Sequence, residues 1–418
     1  MTISKNPYEA IKIRDFRFYL LMRMCSTLAI QMMSVLVGWQ IYDITKDPLS
    51  LGLIGLVEAI PAISVALYAG HLADIVIRKK IALTCLFVLI ICSIILTSTN
   101  FNKSFFSDQQ FILILYGVVF ITGVARGFLG PAVFSMMGQL LDKRLLKNGV
   151  TWNSTVWELS SITGLALGGI MYGFIGAAKT YLIQLLLISL AFGFCMFIAA
   201  KPLPEYNKQE TMSKRIKEGI SFVFRHNLIL SAISLDLFAV LFGGAVALLP
   251  FFAGEILHVG PKGLGILRAA PSIGALVMAF ILAHYPLNKN AGIKLLVSVS
   301  GFGISIILFA LSKSYLLSFF FLLLSGAFDE VSVFIRSTLI HTLTPENMKG
   351  RVSSVNNIFI GSSNEIGSFE SGALAKLLGV IPSVILGGLL TQVVVAITAW
   401  RSPKLRSIEL DQLKPYED

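Results

Sequence analysis

The sequence predicts an all-α polytopic membrane protein with twelve transmembrane helices, arranged as two six-helix bundles with pseudo-two-fold symmetry. Composition, the distribution of basic residues and an internal repeat support this fold class. Of the 418 residues, 55% are hydrophobic and only 14% are charged, and the mean hydropathy is +0.79. Soluble domains carry about 25% charged residues. The composition therefore favours a chain embedded in a bilayer over a globular enzyme.

Twelve apolar runs are long enough to span a bilayer, at about 20 residues for each span. They are predicted at about 18–44, 49–73, 80–100, 110–138, 150–177, 179–200, 228–255, 262–285, 291–312, 314–341, 350–376 and 379–400. We expect an N-terminal six-helix bundle at 1–201, a cytoplasmic linker at 202–227, a C-terminal six-helix bundle at 228–400 and a cytoplasmic tail at 401–418. Apolar residues at helical spacing in the linker, from Met212 to Val223, predict an amphipathic surface helix.

Basic residues concentrate in alternate loops. Of the 34 lysines and arginines, 24 fall on one side of the predicted membrane, six on the other and four within spans. By the positive-inside rule, both termini face the cytoplasm, and we expect an inner (plasma) membrane location. The same alternation accounts for the net charge of +11 without a nucleic-acid partner.

The two halves of the chain repeat each other. Leu53–Ile63 aligns with Gly263–Ile273 at a shift of 210 residues, and Gly169 aligns with Gly372 at a shift of 203. Similar shifts with glycine and proline in register predict a pseudo-two-fold axis along the membrane normal, with the substrate path between the halves.

Three segments carry a family resemblance. Gly70–Lys80, between the second and third spans, resembles the loop signature of the major facilitator superfamily, although Ile75 and Ile77 replace its usual basic residue and second glycine. Arg126–Gly130 resembles the superfamily's R-x-x-x-G motif, and Thr344–Val352 resembles its drug- and siderophore-exporting branch. The resemblance implies two bundles that rock around a central cavity, transport driven by an ion gradient and, in this branch, export.

Polar residues inside the spans are the candidate substrate and proton-coupling sites. A charge at mid-membrane costs about 2.5–3.5 kcal/mol on insertion scales, so it is retained where it faces water or a partner. The candidates are Arg23, Gln31, Arg126, Glu158, Asp236, Asp329, Glu330, Arg336, Asn357, Asn364 and Glu365.

The repeat aligns Arg126 with Asp329, and we expect these opposite charges to face one cavity. Glu330 replaces Asp329 if the helix is rotated. In the alternative interpretation, each charge pairs with a neighbour in its own bundle and only holds that bundle together. Asp329, Asp236 and Glu158 are the expected proton carriers, in that order, and a sodium site stays open as an alternative.

A second group of residues is predicted to gate the path: Glu58, Gly70, Asp74, Arg78, Asp142, Arg268 and Arg351. Glu58 and Arg268 are repeat mates of opposite sign and are expected to form an outer latch, unless Glu58 only caps against a neighbouring polar group. Asp74 is expected to meet the positive N-terminus of the eleventh span near Arg351. Arg78 is expected to reach the acidic end of the fourth span, which closes the cytoplasmic side.

The leading functional interpretation is a secondary active transporter that exports an amphipathic or chelating small molecule, a drug-like compound or a siderophore, by alternating access with proton antiport. Uptake of a metabolite or iron–siderophore complex, and a lysophospholipid flippase, remain alternatives. No catalytic residues, metal ligands or cofactor are predicted, because no nucleotide-binding loop or cysteine–histidine motif is found. The expected partners are the lipid bilayer, a small-molecule substrate and a coupling ion, and we expect a monomer.

Overall fold

The computed structural model describes residues 8–142, 144–202, 212–285, 287, 289–345 and 348–410. Regular structure within these ranges is helical. The chain divides into two compact units. Unit 1 comprises Met1–Thr45, Val57–Asn207 and Gly260–Ala269, and unit 2 comprises Lys46–Leu56, Lys208–Val259 and Ala270–Asp418. Each unit is built mainly from one half of the sequence, and each includes a short segment from the other half.

Unit 1 is a helical bundle. It contains α1 (Arg14–Thr45), most of α2 (Pro48–Ile75), α3 (Arg78–Phe101), α4 (Asp108–Leu140), α5 (Leu146–Ile175), α6 (Ala177–Phe197) and the first residues of α10 (Gly260–His284). Helix α1 packs against α5 and α6, and α3 packs against α4 and α6. Fully buried side chains such as Phe16, Met22 and Leu86 fill its core.

Unit 2 contains the linker helix and the remaining spans. Its helices are α7 (Met212–Arg225), α8 (Asn227–Phe242), α9 (Leu249–Phe251), the rest of α10, α11 (Ala291–Leu311), α12 (Tyr315–Leu343), α13 (Lys349–Leu378), α14 (Val380–Arg401) and α15 (Pro403–Arg406), with the start of α2. Helix α11 packs against α12 and α14, and α13 packs against α8. The buried Leu405 of α15 closes one end of the core.

The seventh span is interrupted near its middle. Helix α8 ends at Phe242, and the chain continues through a 3₁₀ turn at Ala245–Leu248, the short α9 and a π-helical segment at Phe252–Ile256. A Cβ added to Gly244 would lie 2.8 Å from the carbonyl oxygen of Gly367 in α13. Glycine therefore permits a close approach of backbone at the point where regular hydrogen bonding changes.

The predicted twelve-helix layout is confirmed. Eleven helices within the described ranges are long and apolar enough to cross a membrane. Helix α13 provides the remaining span, with 30 residues and a lower mean hydropathy because serine, asparagine and glutamate follow its length. The helix predicted in the linker is present as α7 and packs against α13.

Candidate functional site

A buried ion pair lies inside unit 2. Arg336 of α12 forms a salt bridge with Asp236 of α8, and their side chains are only 3% and 6% exposed. Within the described part of the chain, Nε of Arg336 has no hydrogen-bond partner. Removing two charges from water costs several kcal/mol for each ion, and their attraction offsets this only while both charges remain. The protonation state of Asp236 and the stability of unit 2 are therefore linked.

A second ion pair lies in unit 1. Arg126 of α4 forms a salt bridge with Glu58 of α2, and their side chains are 45% and 20% exposed. Glycine sets this geometry, because a Cβ added to Gly123 would lie 2.6 Å from the carbonyl oxygen of Glu58, and one added to Gly127 would lie 2.5 Å from Val65. The two glycines, one turn apart, bring α4 against α2 and place Arg126 beside its partner.

More polar groups of unit 1 follow α1 and α5. Gln31 donates a hydrogen bond to the hydroxyl of Ser161, at 3.0 Å. Arg23 lies close enough to Arg126 for their charges to interact, and its Nε lacks a partner among the described residues. Glu158 is half-buried on α5, and the described residues offer it no hydrogen bond or ion pair. Arg23 and Glu158 are thus charges available to a ligand or an ion.

The two expected pairings of repeat mates remain predictions. Arg126 and Glu58 form an ion pair with each other inside unit 1. The alternative interpretation of each charge allowed for such a partner in a neighbouring helix. Arg268 donates a hydrogen bond to the backbone carbonyl of Ser34, at 2.9 Å, inside unit 1. Asp329 is half-buried on α12, and its proposed role in coupling stays a prediction.

The other candidates of the tenth and eleventh spans lie on α12 and α13. Glu330 and Glu365 are half-buried and each takes part in polar interactions. Asn364 is exposed and donates to the carbonyl of Ile360 one turn earlier, at 3.0 Å. The side chain of Asn357 lies outside the described residues. Asn364 is thus bonded within its own helix.

The predicted cytoplasmic latch is described only in part. Arg78 donates to the carbonyl of Ser135, at 3.3 Å, and the side chain of Asp142 is exposed at the end of α4. Arg351 forms a salt bridge with Glu218 of α7. The expected roles of Gly70 and Asp74 fall on side chains outside the described residues.

Two pairs of helices cross closely at glycine residues, and the sequence analysis did not identify these contacts as part of the candidate site. In unit 2, Gly52 of α2 faces Gly372 of α13, and a Cβ on Gly372 would lie 2.7 Å from the Cα of Gly52. In unit 1, Gly169 of α5 faces Gly265 of α10, and a Cβ on Gly169 would lie 2.6 Å from the Cα of Gly265. The repeat alignment contains the signal, because Gly169 and Gly372 are mates.

A salt bridge accompanies the first crossing. Lys376 of α13 donates to Asp47, just before α2, at 2.8 Å. Burial alone would raise the pKa of the Asp47 carboxyl, but the hydrogen bond and charge of Lys376, with bonds from the Leu49 backbone and the Ser50 hydroxyl, lower it below its ordinary value. Asp47 is therefore an anion at neutral pH, and the bridge joins the ends of α2 and α13.

Among the described residues, no group of three histidine, cysteine, aspartate or glutamate side chains is arranged to hold a metal ion. The four cysteines are buried as free thiols.

Comparisons with known proteins agree with this arrangement. Residues 5–418 match the MFS_3 family model, described as transmembrane secretion effector. The chain is similar to the enterobactin exporter EntS of Citrobacter koseri, with 25% identity over 384 residues that cover 89% of this chain and 88% of the relative. It is also similar to an uncharacterized MFS-type transporter, YfmI of Bacillus subtilis, with 25% identity over 333 residues covering 75% of this chain and 80% of the relative.

Solved structures share the fold. A bacterial homologue of the human lysosomal transporter Spinster superposes with a TM-score of 0.72 over 96% of this chain and 98% of its own, at 12% sequence identity. At that identity the match speaks for the helical architecture alone. Both curated relatives and the Spinster homologue are named as transporters, not as enzymes.

Proposed function

Because the chain belongs to the major facilitator superfamily, in its transmembrane secretion effector family, we propose that it exports an amphipathic or chelating small molecule, such as a siderophore, in exchange for protons. That it is a multi-pass membrane transporter, and not an enzyme, follows from the family match over residues 5–418 and from the helical fold. Similarity to enterobactin exporters over about nine-tenths of the chain supports a siderophore or a compound of similar chemistry as substrate.

The buried Asp236–Arg336 pair carries the proposal of proton coupling. A proton on Asp236 neutralises the carboxylate and leaves the guanidinium of Arg336 as a buried cation without its counter-ion. Such a cation is unfavourable in a low-dielectric interior, so the pair keeps Asp236 ionised while the site is shielded from water. The ionised carboxylate accepts hydrogen bonds from hydroxyl groups of a substrate, and catechols carry such donors.

Exchange follows because proton and substrate compete for the carboxylate of Asp236. The substrate binds on the cytoplasmic side while Asp236 is ionised, and a proton taken up from the outer side removes the acceptor and releases the substrate there. The protonated, empty site then returns and loses its proton to the cytoplasm, so an inward proton gradient drives outward movement of the substrate. One elementary charge crossing 100 mV contributes about 2.3 kcal/mol. We place Asp236 before Asp329 and Glu158 as the proton carrier, because Asp236 has a buried cationic partner.

Alternating access completes the proposal. The glycine crossings at Gly52–Gly372 and Gly169–Gly265 are the contacts that we expect to separate when the outer side opens, because glycine backbones meet there without interlocking side chains. The predicted orientation, with both termini in the cytoplasm of an inner membrane, puts these crossings on the outer side.

A proteoliposome assay tests coupling and substrate together. Purified protein is reconstituted with an imposed pH gradient, and flux is measured for a panel of siderophores, dyes and lysophospholipids. We expect gradient-dependent flux of chelators that carry hydroxyl groups in the wild type. Asp236→Asn should abolish the dependence on the gradient, whereas Asp108→Asn, which removes an exposed carboxylate at the start of α4, should preserve it.

The result also separates the alternatives. Flux that ignores the pH gradient would remove proton coupling, and net inward movement of the substrate would favour uptake. Movement of lysophospholipid without movement of any chelator would favour a flippase. The double variant Asp236→Asn/Arg336→Gln, which keeps the site neutral, shows whether a loss of flux in the single variant reflects the chemistry or poor folding.

A further inference from the structure

A cavity lies in the angle between α7 and α8, apart from the ion pairs inside the spans. Its volume is about 460 Å³, and its walls are formed by Glu218, Ser221, Phe222, Arg225, His226 and Met348. Asp236 is ten residues further along α8 than His226, which corresponds to about 15 Å along a helix. The cavity therefore belongs to the linker and the membrane surface rather than to the centre of the bilayer.

The polar walls of this cavity favour an anion. The charge of Glu218 is compensated by its salt bridge with Arg351. Arg225 is exposed, and among the described residues it has no acidic partner. The Ser221 hydroxyl supplies another hydrogen-bond donor. The balance of charge within the described walls is thus positive.

His226 adds a polar atom that lacks a partner. Its Nδ1 is buried, and the described part of the chain offers that atom no hydrogen bond. Burial lowers the pKa of His226 below its ordinary value, so the ring is neutral at neutral pH. The ring stacks on Phe222, with centroids 6.0 Å apart. A neutral ring held in place offers a donor or an acceptor to a ligand without adding a charge.

The position of the cavity matches that of lipid headgroups. The seventh span begins at Asn227, immediately after His226. On the adjoining surface of α7, Ile220 and Phe224 lie one turn apart, and 40% and 55% of their surfaces are exposed. An apolar strip beside a cationic group at the end of a span is typical of a helix in the membrane interface.

We propose that this cavity binds the phosphate headgroup of an anionic phospholipid, with Arg225, Ser221 and His226 contacting the phosphate. Ile220 and Phe224 then contact the first carbons of the acyl chains. Glu218, fixed by Arg351, accepts a hydrogen bond from a headgroup hydroxyl, which favours a glycerol headgroup over choline. Because Arg351 lies in the first turn of α13, the bound lipid steadies the junction of α7 with α13.

Lipid binding is measured directly by native mass spectrometry. Protein in a neutral detergent is titrated with short-chain phosphatidylglycerol, short-chain phosphatidylcholine or glycerol 3-phosphate. We expect wild type to bind phosphatidylglycerol in preference to phosphatidylcholine. Arg225→Gln should weaken phosphatidylglycerol binding by about fivefold, since one cation near a phosphate is worth about 1 kcal/mol.

Lys217→Gln is the matched control. Lys217 is an exposed cation on the same helix and is not part of the cavity walls, so its loss should leave binding unchanged. Equal weakening in both variants would mean general charge attraction and would overturn the proposal. Binding of glycerol 3-phosphate without preference for phosphatidylglycerol would identify a soluble phosphate ester as the ligand and would also overturn it. Ser221→Ala is a smaller change in the same cavity and should also weaken phosphatidylglycerol binding. It tests the site independently if Arg225→Gln fails to fold.

Discussion

Charge and stability depend on the same two side chains in unit 2. Asp236 and Arg336 are buried together, so either one alone is an uncompensated charge in an apolar interior. We expect Asp236→Asn or Arg336→Gln to lower the free energy of unfolding by about 3–5 kcal/mol. The measurement is the midpoint of thermal unfolding in detergent.

The double variant sharpens this prediction. Asp236→Asn/Arg336→Gln should be more stable than either single variant, because no buried charge remains without a partner. Glu158→Gln is the control, since Glu158 is half-buried and has no ion pair among the described residues. Equal losses in all three single variants would argue against a specific pair.

The Asp47–Lys376 bridge should respond to pH in one direction. The pKa of Asp47 is lowered in the folded protein, so its stabilising contribution is complete above the unfolded-state pKa of about 4 and is lost as the pH falls through the folded-state pKa. The side chain of Lys376 is 55% exposed, which limits the contribution to about 1 kcal/mol or less.

A pH series of thermal unfolding tests this. The difference in stability between wild type and Asp47→Asn should be constant from about pH 5 to pH 8 and should decrease below about pH 4, as the pH falls through the lowered pKa of folded Asp47. Asp108→Asn serves as the control. If the stability difference between wild type and Asp47→Asn grew as the pH fell, the pKa of folded Asp47 would be raised rather than lowered, and the prediction would be wrong.

At the scale of helices, the glycine crossing of α5 with α10 depends on the absence of a side chain. A Cβ on Gly169 would lie 2.4 Å from the carbonyl oxygen of Pro261, so Gly169→Ala must push the helices apart. We expect a loss of about 1–3 kcal/mol in unfolding free energy and reduced transport. Gly193→Ala in α6 meets open space and should stabilise the helix by up to about 1 kcal/mol. Thermal unfolding and flux of the two variants provide the comparison.

At the scale of the whole molecule, neither half of the sequence contains a complete unit. Unit 1 includes Gly260–Ala269 from the second half, and unit 2 includes Lys46–Leu56 from the first. If the chain is divided after Asn207, we expect the two fragments to be unstable when expressed singly. Expressed together with a tag on one, they should copurify in detergent. Stable, separate fragments would contradict this division into units.

The sequence predicts the helices better than it predicts their partners. Apolar runs gave the spans, and helical spacing of apolar residues gave α7, since both signals are local. The partner of Arg126 depends on the rotation of α4 and on the glycines at positions 123 and 127, which hydropathy does not report. Repeat alignment relates residues of equal depth, and it does not say which helix lies beside which. Repeat alignment therefore relates Arg126 to Asp329, whose facing of one cavity stays a prediction, and it does not identify Glu58 as the ion-pair partner of Arg126.

The glycine crossings also affect how readily the crossing helices move apart. Helices that interlock through side chains must change rotamers to slide past each other, and close packing resists each small step. At Gly52–Gly372 and Gly169–Gly265 the surfaces that meet are smooth backbone. Such surfaces can separate without a change of rotamer. At the crossing of α2 with α13, we therefore expect the bridge between Lys376 and Asp47, rather than the glycine contact, to set the barrier to opening.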